Sequence, residues 1–551
     1  MTIESAVHMA IENVRKEGLT DIFPRPFEVD MLNDRAFREK VADLVVRAIQ
    51  AGDPTGVRPE PLGFVLLPKT SAFDFRRCAL MQPLDTIRYL ALALLMAEQI
   101  EAARPPKQDN VIFSYRFAPS PDTGLVFDQS YNITSFKKAT SETARDPSVS
   151  IVVSCDIANF YDRLDAERLS PVLLSLGCDP SHVNLLMSIL RTWRAAGAHG
   201  FPTGSNASRI LAEAMLLGVD NHLASRGIRF CRFVDDFRLF APDLKSAHLA
   251  LTTLIHRLDI EGLAIKGVKT RIDPADMYGR KAARDEQPTD LQQAARPPLT
   301  PEQVEQFKED RRRRKGFGPG VRIMAGYGGA IPSLFREVTE RLQAQYRAAD
   351  PAAILARVNE HRILSPEDAL EYVRVTIYSA RSQLLRHLPS VLDKFPQFIP
   401  LVVDGLIKHH KSIAPADLAH VRQALTAWAD LPDLPEYLAV AIIRLNGAPG
   451  LRDPAALDRC LQTLCHHPGA LIGRTALDTL TGTSDPAVLA RLKTMWPTAD
   501  PWERRQIARI LVGALGKDGA REWIAGVERT EFVGSFGLDV SPDVFAHAML
   551  A

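Results

Sequence analysis

Between Phe230 and Phe240 the chain reads Phe-Cys-Arg-Phe-Val-Asp-Asp-Phe-Arg-Leu-Phe. Two adjacent carboxylates, Asp235 and Asp236, interrupt a run of strand-forming, mostly apolar residues. Adjacent carboxylates repel each other, and burying either one without a partner is costly. Two arrangements relieve the conflict: an exposed polar turn, or a turn with positive charge in front of it. Both make Arg229–Val234 and Phe237–Phe240 the arms of a hairpin with the acidic pair at its tip. Further strand candidates are Phe64–Leu67, Val111–Phe117 and Ser150–Asp156, rich in Val, Ile and Phe. Helical spacing at Leu84–Ala102, Ser181–Trp193 and Ser208–Ser225 alternates with them. This alternation reads as α+β or α/β.

The strand candidate Ile151-Val-Val-Ser-Cys-Asp156 also ends in an acid. If it neighbours the hairpin, Asp156 and Asp235 converge, and three carboxylates from two strands form an oxygen-rich pocket suited to Mg²⁺. Two such ions, roughly 3.5–4 Å apart, activate an attacking hydroxyl and stabilise a leaving pyrophosphate. Taken alone, Asp-Asp is a polar turn; the second acidic strand is what changes the weighing. Between the two acidic elements lies Gly200-Phe-Pro-Thr-Gly-Ser-Asn-Ala-Ser-Arg-Ile-Leu-Ala-Glu213, a Gly/Pro loop feeding a helix. Such a loop exposes backbone N–H groups to a ligand. After the hairpin comes Gly262-Leu-Ala-Ile-Lys-Gly-Val-Lys-Thr270.

These four segments, in this order, resemble the palm motifs of reverse transcriptases over roughly residues 64 to 275. The resemblance implies a fingers–palm fold in which Asp156, Asp235, Asp236 and Lys269 are the catalytic group. Two Mg²⁺ ions, or Mn²⁺ in their place, would be held at Asp156, Ile157, Asp235 and Asp236. Lys269 would face the departing pyrophosphate, and Tyr161 would be the steric gate against a ribose 2′-OH. Gly204, Ser208 and Arg209 fall in the motif at the substrate. Lys69, Arg76 and Arg77 are similar to the fingers cations that grip a triphosphate. The plainer alternatives are core packing for Tyr161 and ordinary surface charge for Lys69 and the arginines.

Phe233 stands where retroviral enzymes carry Tyr, and Thr203 stands at the usual Gln position. With Ser208-Arg-Ile-Leu-Ala-Glu213 and Val111-Ile-Phe-Ser-Tyr-Arg116, the chain is similar to the Abi-type, defence-associated bacterial reverse transcriptases. That group acts in abortive infection against bacteriophages. Some members make DNA without a template, primed from a protein hydroxyl, and many append a helical, HEAT-like region. Tyr327, in Ala-Gly-Tyr-Gly-Gly, is then a candidate priming hydroxyl.

The organisation agrees. Residues 1–60 read as a helical segment, with apolar spacing over 34–51 ending at Gly52, and 61–283 as fingers and palm. Residues 284–330 read as a Pro-rich linker that carries the basic run Arg311–Lys315 and a Gly-rich stretch. From 331 to 551 amphipathic helices follow one another as an all-α, HEAT-like array. Several open on Asp350-Pro, Ser365-Pro, Asp453-Pro, Asp485-Pro or Asp500-Pro, an N-cap followed by a proline whose missing N–H had no partner. Cys460…Cys465-His466-His467 fits no usual zinc spacing and reads as packing.

Lys plus Arg number 67 against 66 for Asp plus Glu, so net charge neither demands nor excludes nucleic acid. Scattered cysteines, no signal segment and no apolar stretch long enough to span a bilayer point to a cytoplasmic protein with no membrane partner. The expected function is a defence DNA polymerase that consumes dNTPs and yields DNA. A phage component would be its trigger and a homo-oligomer its assembly. The alternatives are a reverse transcriptase copying a non-coding RNA and a catalytically silent nucleic-acid-binding scaffold.

Overall fold

The computed structural model describes residues 1–18, 26–68, 75–278, 340–350, 354–356, 365–431, 433–464, 467 and 469–526. Lys69, Arg311–Lys315 and Tyr327 lie outside them.

The apolar run ending in Asp156 is strand β5 (Ile151–Asp156), and the arms of the acidic hairpin are β6 (Arg229–Phe233) and β7 (Asp236–Ala241). With β8 (Arg271–Pro274) they form an antiparallel sheet in the order β6-β7-β5-β8. The register pairs Asp156 with Asp236, Cys155 with Phe237 and Val153 with Leu239. Because side chains alternate along a strand, Asp156, Asp236 and Arg238 share one face, while Val153, Phe237 and Arg232 share the other. Helix α5 (Ile133–Ala144) packs on β6 and β7, with Phe136 against Phe233. Helices α9 (Asn206–Ser225) and α10 (Leu244–Ile260) cover the Arg232 face. Val152 and Val153 are therefore buried on opposite faces of the sheet, each stabilising the fold by roughly 1.5–3 kcal/mol.

Two small hairpins flank the sheet: β1 (Gly63–Pro68) with β2 (Phe75–Leu80), and β3 (Phe117–Ser120) with β4 (Leu125–Phe127). The strand expected over Val111–Phe117 is mostly absent. Only Ile112 bridges Arg232, and Phe117 opens β3. Tyr115 takes a left-handed φ of 47°, and the Ser114 and Tyr115 carbonyls accept from Arg104 rather than from a neighbouring strand. The helices read from periodicity appear as α4 (Pro83–Ala103), α8 (Pro180–Ala195) and α9, and the 34–51 segment is α3 (Arg35–Gln50), capped by Asp34. In front of α3 stand α1 (Ile3–Glu17) and the short α2 (Glu28–Met31).

The C-terminal region is mostly helical. Its helices are α11 (Glu340–Ala348), α12 (Pro366–Ser379), α13 (Ser382–Lys394), α14 (Ile399–His409), α15 (Pro415–Thr426) and α16 (Glu436–Gly447). They continue as α17 (Pro454–Leu464), α18 (Ile472–Asp478), α19 (Pro486–Met495) and α20 (Pro501–Gly526). The Ser365 and Asp485 side chains cap α12 and α19 as their Ser-Pro and Asp-Pro pairs require. Alternate helices stack, α11 on α12, then α12 on α14, α14 on α16, α16 on α18 and α18 on α20, with α13 on α15 as a second row. Gly405 permits one close approach: a Cβ there would meet Ile377 Cγ2 at 2.4 Å.

The array docks on the N-terminal half through a buried charge cluster. Glu28 of α2 accepts from Arg474 at 2.9 and 2.8 Å and from Arg505 at 2.6 Å, and Arg505 also reaches Gln82. Both guanidinium groups lie over Trp502. Burial alone would raise the Glu28 carboxyl, but the two arginines outweigh it and hold it at about 2. The five described cysteines are buried. Among the described residues no helix is long and apolar enough to cross a membrane.

Candidate active site

The β6–β7 turn carries Val234 and Asp235. Val234 adopts a φ of 57°, unusual for a β-branched residue, which costs on the order of 1–3 kcal/mol. The turn is tied to the end of β5, where Ile157 N–H donates to the Asp235 carbonyl at 3.0 Å. On its other edge that extension bonds to the segment before Lys269: Ala158 N–H donates to Ala264 at 2.8 Å, and Lys266 N–H to Asp156 at 2.6 Å. In a strand the N–H and C=O of one residue point the same way, so the Ile157 carbonyl is turned toward Asp235.

Asp156 and Asp235 meet, as the shared strand edge demands. Burial, then Asp156, then Asp236 push the Asp235 carboxyl up to about 8, and it shares a hydrogen bond with Asp156. Lys269 Nζ faces the pair, 2.7 Å from Asp156 Oδ2. Burial alone would lower the Lys269 ammonium, but Asp156 and its two neighbours raise it. Asp236 is turned aside: Arg238 donates to its carboxylate at 2.6 and 3.3 Å and also bonds the Tyr278 hydroxyl at 3.2 Å. The expected trio is thus a pair. Among the described residues no three of His, Cys, Asp and Glu converge as ligands to one ion. The pair keeps a proton between its two carboxyl groups that an arriving cation could displace. An all-oxygen donor set of two carboxylates and a carbonyl fits Mg²⁺ or Mn²⁺ better than zinc.

The Gly200 loop clamps the turn that carries Tyr161. Phe201 N–H donates to the Tyr161 carbonyl at 2.9 Å. Gly200 has a φ of 61°, and a Cβ on it would fall 2.0 Å from that oxygen, so no other residue fits. Tyr161, on α6 (Phe160–Arg163), is 6% exposed and packs against Phe160. Gly204 closes the loop at a φ of 112°, and Ala79 N–H of β2 donates to the Thr203 carbonyl at 3.3 Å, joining the loop to the β1–β2 hairpin.

Two residues assigned to the substrate from the resemblance lie in the core. Ser208 is fully buried; its hydroxyl donates to the Pro202 carbonyl at 2.6 Å and meets Tyr89 at 3.2 Å. Arg209 is buried as well, donating to Asn206 at 2.6 Å and lying over the Tyr115 ring. Both shape the loop from beneath, because α9 is buried around nearly its whole circumference. Arg76 and Arg77 lie half-buried on β2, and Arg77 stacks 3.3 Å above Phe64.

Sequence reasoning missed the ion network behind the hairpin. Arg232 is fully buried and binds Asp220 at 2.6 Å and Glu213 at 2.7 Å. Arg104 joins Glu213 at 2.9 Å and Glu101 at 2.9 Å, Arg116 joins Glu101 at 2.8 Å, and the Ser114 hydroxyl donates to Glu213 at 2.7 Å. The signal was present: Arg232 stands within an apolar strand run, and Glu213 and Asp220 are two turns apart on one helix face.

Comparison with known proteins adds three findings. Residues 110–278 match the family described as reverse transcriptase (RNA-dependent DNA polymerase). The retron Ec86 reverse transcriptase of Escherichia coli is 25% identical over 121 residues, 22% of this chain and 38% of that protein. The chain therefore spans under two-fifths of the length of this curated relative. A solved telomerase from Candida albicans, in complex with the TWJ fragment of telomeric RNA, covers 84% of this chain and 68% of its own. At 11% identity and a TM-score of 0.29 it carries no argument. Residues 110–278 constitute a reverse-transcriptase domain, joined to a mostly helical C-terminal region.

Proposed function

We propose that the chain is a DNA polymerase that joins deoxynucleotides to a 3′ or protein hydroxyl at the Asp156–Asp235 cleft. The observation that supports this reading is a crowded carboxylate pair: Asp156 and Asp235 share a hydrogen bond in front of the Lys269 ammonium, and Asp235 is pushed to hold its proton. Carboxylates pressed together until one must keep its proton fit a site built for cations better than a structural ion pair.

Asp156, Asp235 and the Ile157 carbonyl would hold two divalent ions, which when bound supply Lewis-acid activation of the attacking hydroxyl and charge neutralisation at the pyrophosphate. Asp236, kept by Arg238, lends negative potential without being a principal ligand. Lys269 exchanges Asp156 for the departing pyrophosphate, to which its ammonium carries a proton. Tyr161, clamped beneath the Gly200 loop, is the wall that excludes a ribose 2′-OH. Lys69, Arg76 and Arg77 grip the triphosphate from the fingers. The chain is divided as the sequence reads, with the stacked helices as HEAT-like repeats. Resemblance to the Abi-type enzymes makes defence against bacteriophage the setting, with protein-linked priming from Tyr327. A second reading, copying of an RNA template, is favoured by the family match over 110–278.

The test is incorporation of each dNTP with Mg²⁺, with and without RNA, the product being sized before and after protease digestion. Protease-sensitive DNA made without RNA is the expected result; a strict RNA requirement with protease-resistant product favours templated copying. Incorporation that survives Asp156→Asn, or none by the wild type, overturns the polymerase assignment.

A further inference from the structure

The peptide linking Val234 to Asp235 determines where the Asp235 carboxylate points. Nothing in the Val234 side chain favours its φ of 57°, since a branched Cβ disfavours the left-handed region. The constraint comes from behind the sheet. Arg232 Nη1 donates to the Val234 carbonyl at 2.9 Å, so that peptide is held with its oxygen turned into the core.

Arg232 is itself fixed at both ends. Its backbone N–H donates to Val111 at 2.8 Å, and its carbonyl accepts from Phe113 at 2.9 Å. Its guanidinium uses Nε on Asp220 Oδ1 at 2.8 Å, and Nη2 on Asp220 Oδ2 at 2.6 Å and Glu213 Oε2 at 2.7 Å. Nη1 serves the turn at 2.9 Å and reaches Glu213 Oε1 only at 3.4 Å. Two carboxylates anchor the fork, and the fork anchors the peptide.

We propose that Arg232 is a positioning residue for the metal site: clamped by Asp220 and Glu213, it holds the Val234–Asp235 peptide so that the Asp235 carboxylate meets Asp156. The inference rests on the polymerase reading only in taking Asp156 and Asp235 as the ion-holding pair. The rigid planar fork is essential, because a lysine ammonium is a point donor that cannot span both carboxylates and the Val234 oxygen. Groups that orient a ligand from behind typically govern metal affinity by about 10–100-fold.

The test is direct Mn²⁺ binding to the full chain, followed by electron paramagnetic resonance of the free ion, beside thermal melting. Wild type should bind Mn²⁺, and Asp235→Asn should not. Arg232→Lys should weaken binding by about 10–100-fold. Asp220→Asn, which leaves Arg232 with Glu213, should weaken it by several-fold and serves if Arg232→Lys does not fold. Arg116→Lys disturbs the same buried network away from Val234, and should lower the melting temperature while leaving Mn²⁺ affinity unchanged. Wild-type affinity in a folded Arg232→Lys or Asp220→Asn protein overturns the positioning role alone. So does an Arg116→Lys loss as large as theirs, since the effect would then be general destabilisation. A wild type that binds no Mn²⁺ overturns the ion-pair premise and the proposal with it.

Discussion

The acidic hairpin handles charge in opposite ways on its two sides. Behind it, Arg104, Arg116 and Arg232 face Glu101, Glu213 and Asp220, three cations against three anions, almost wholly out of water. In front, Asp156 and Asp235 face Lys269, and Asp235 is driven to hold a proton. One network pairs its groups as ions; the other keeps Asp235 from ionising until something positive arrives. Burial by itself does not distinguish function from structure, since both sides are buried to a considerable degree. The carboxyl group that is kept from ionising does.

The difference breaks most sharply at Asp235. Asp235→Asn keeps the shape and removes the excess charge. Incorporation should fall by roughly 10²–10³-fold or more, the scale of losing a principal electrostatic group at a reacting centre. The melting temperature should hold or rise, because the substitution relieves repulsion among Asp156, Asp235 and Asp236. Paired melting and dNTP-incorporation measurements check this; a large loss of stability would show that the front of the hairpin is structural after all.

A balanced cluster should behave in reverse. Glu28→Ala strands Arg474 and Arg505 at the docking surface of the helical array, an arrangement that costs about 3–5 kcal/mol. The pH dependence has a definite sign. The folded carboxyl is held near 2 against an ordinary 4.5, so its contribution is fully present above about pH 4.5 and is lost as the pH falls toward 2. That interval corresponds to about 3 kcal/mol. Chemical denaturation of wild type and Glu28→Ala at pH 7 and pH 3 checks it: the gap between them should narrow in acid, and an unchanged gap would remove the charge from the account.

This contrast also explains what was legible in the sequence. Asp156 ends an apolar strand and Asp235 interrupts another, so local pattern exposed both, and the same periodicity revealed α4, α8 and α9. Val111–Phe117 misled for the opposite reason. Its residues have strand-forming side chains, yet Arg104 takes the carbonyls a sheet partner would need, and Arg104 is distant in neither charge nor spacing from any surface arginine in the text. Ser208 and Arg209 were assigned to the substrate because they fall in the segment that resembles the family's second palm motif. Whether a side chain points up into that loop or down into the core depends on the packing of α9, which no short motif encodes. Asp236 looked equivalent to Asp235 until the sheet register placed Arg238 on its face.

Proton and metal should compete on the front side and not behind it. Asp235 holds its proton to about pH 8 because burial and Asp156 disfavour the second negative charge. A divalent ion needs the carboxylate, so at lower pH binding must first expel that proton. Affinity for Mg²⁺ should therefore rise as pH increases from 6.5 toward 8, by at most about tenfold per pH unit for one displaced proton, and level off above. The sign follows from the raised carboxyl: protonation is the competitor, and it fades as pH passes the value at which Asp235 ionises. Mn²⁺ titrations at fixed ionic strength across that range measure it without relying on turnover. Affinity independent of pH would mean that Asp235 is already ionised in the free protein, and that Lys269 compensates the pair more fully than its single contact with Asp156 indicates.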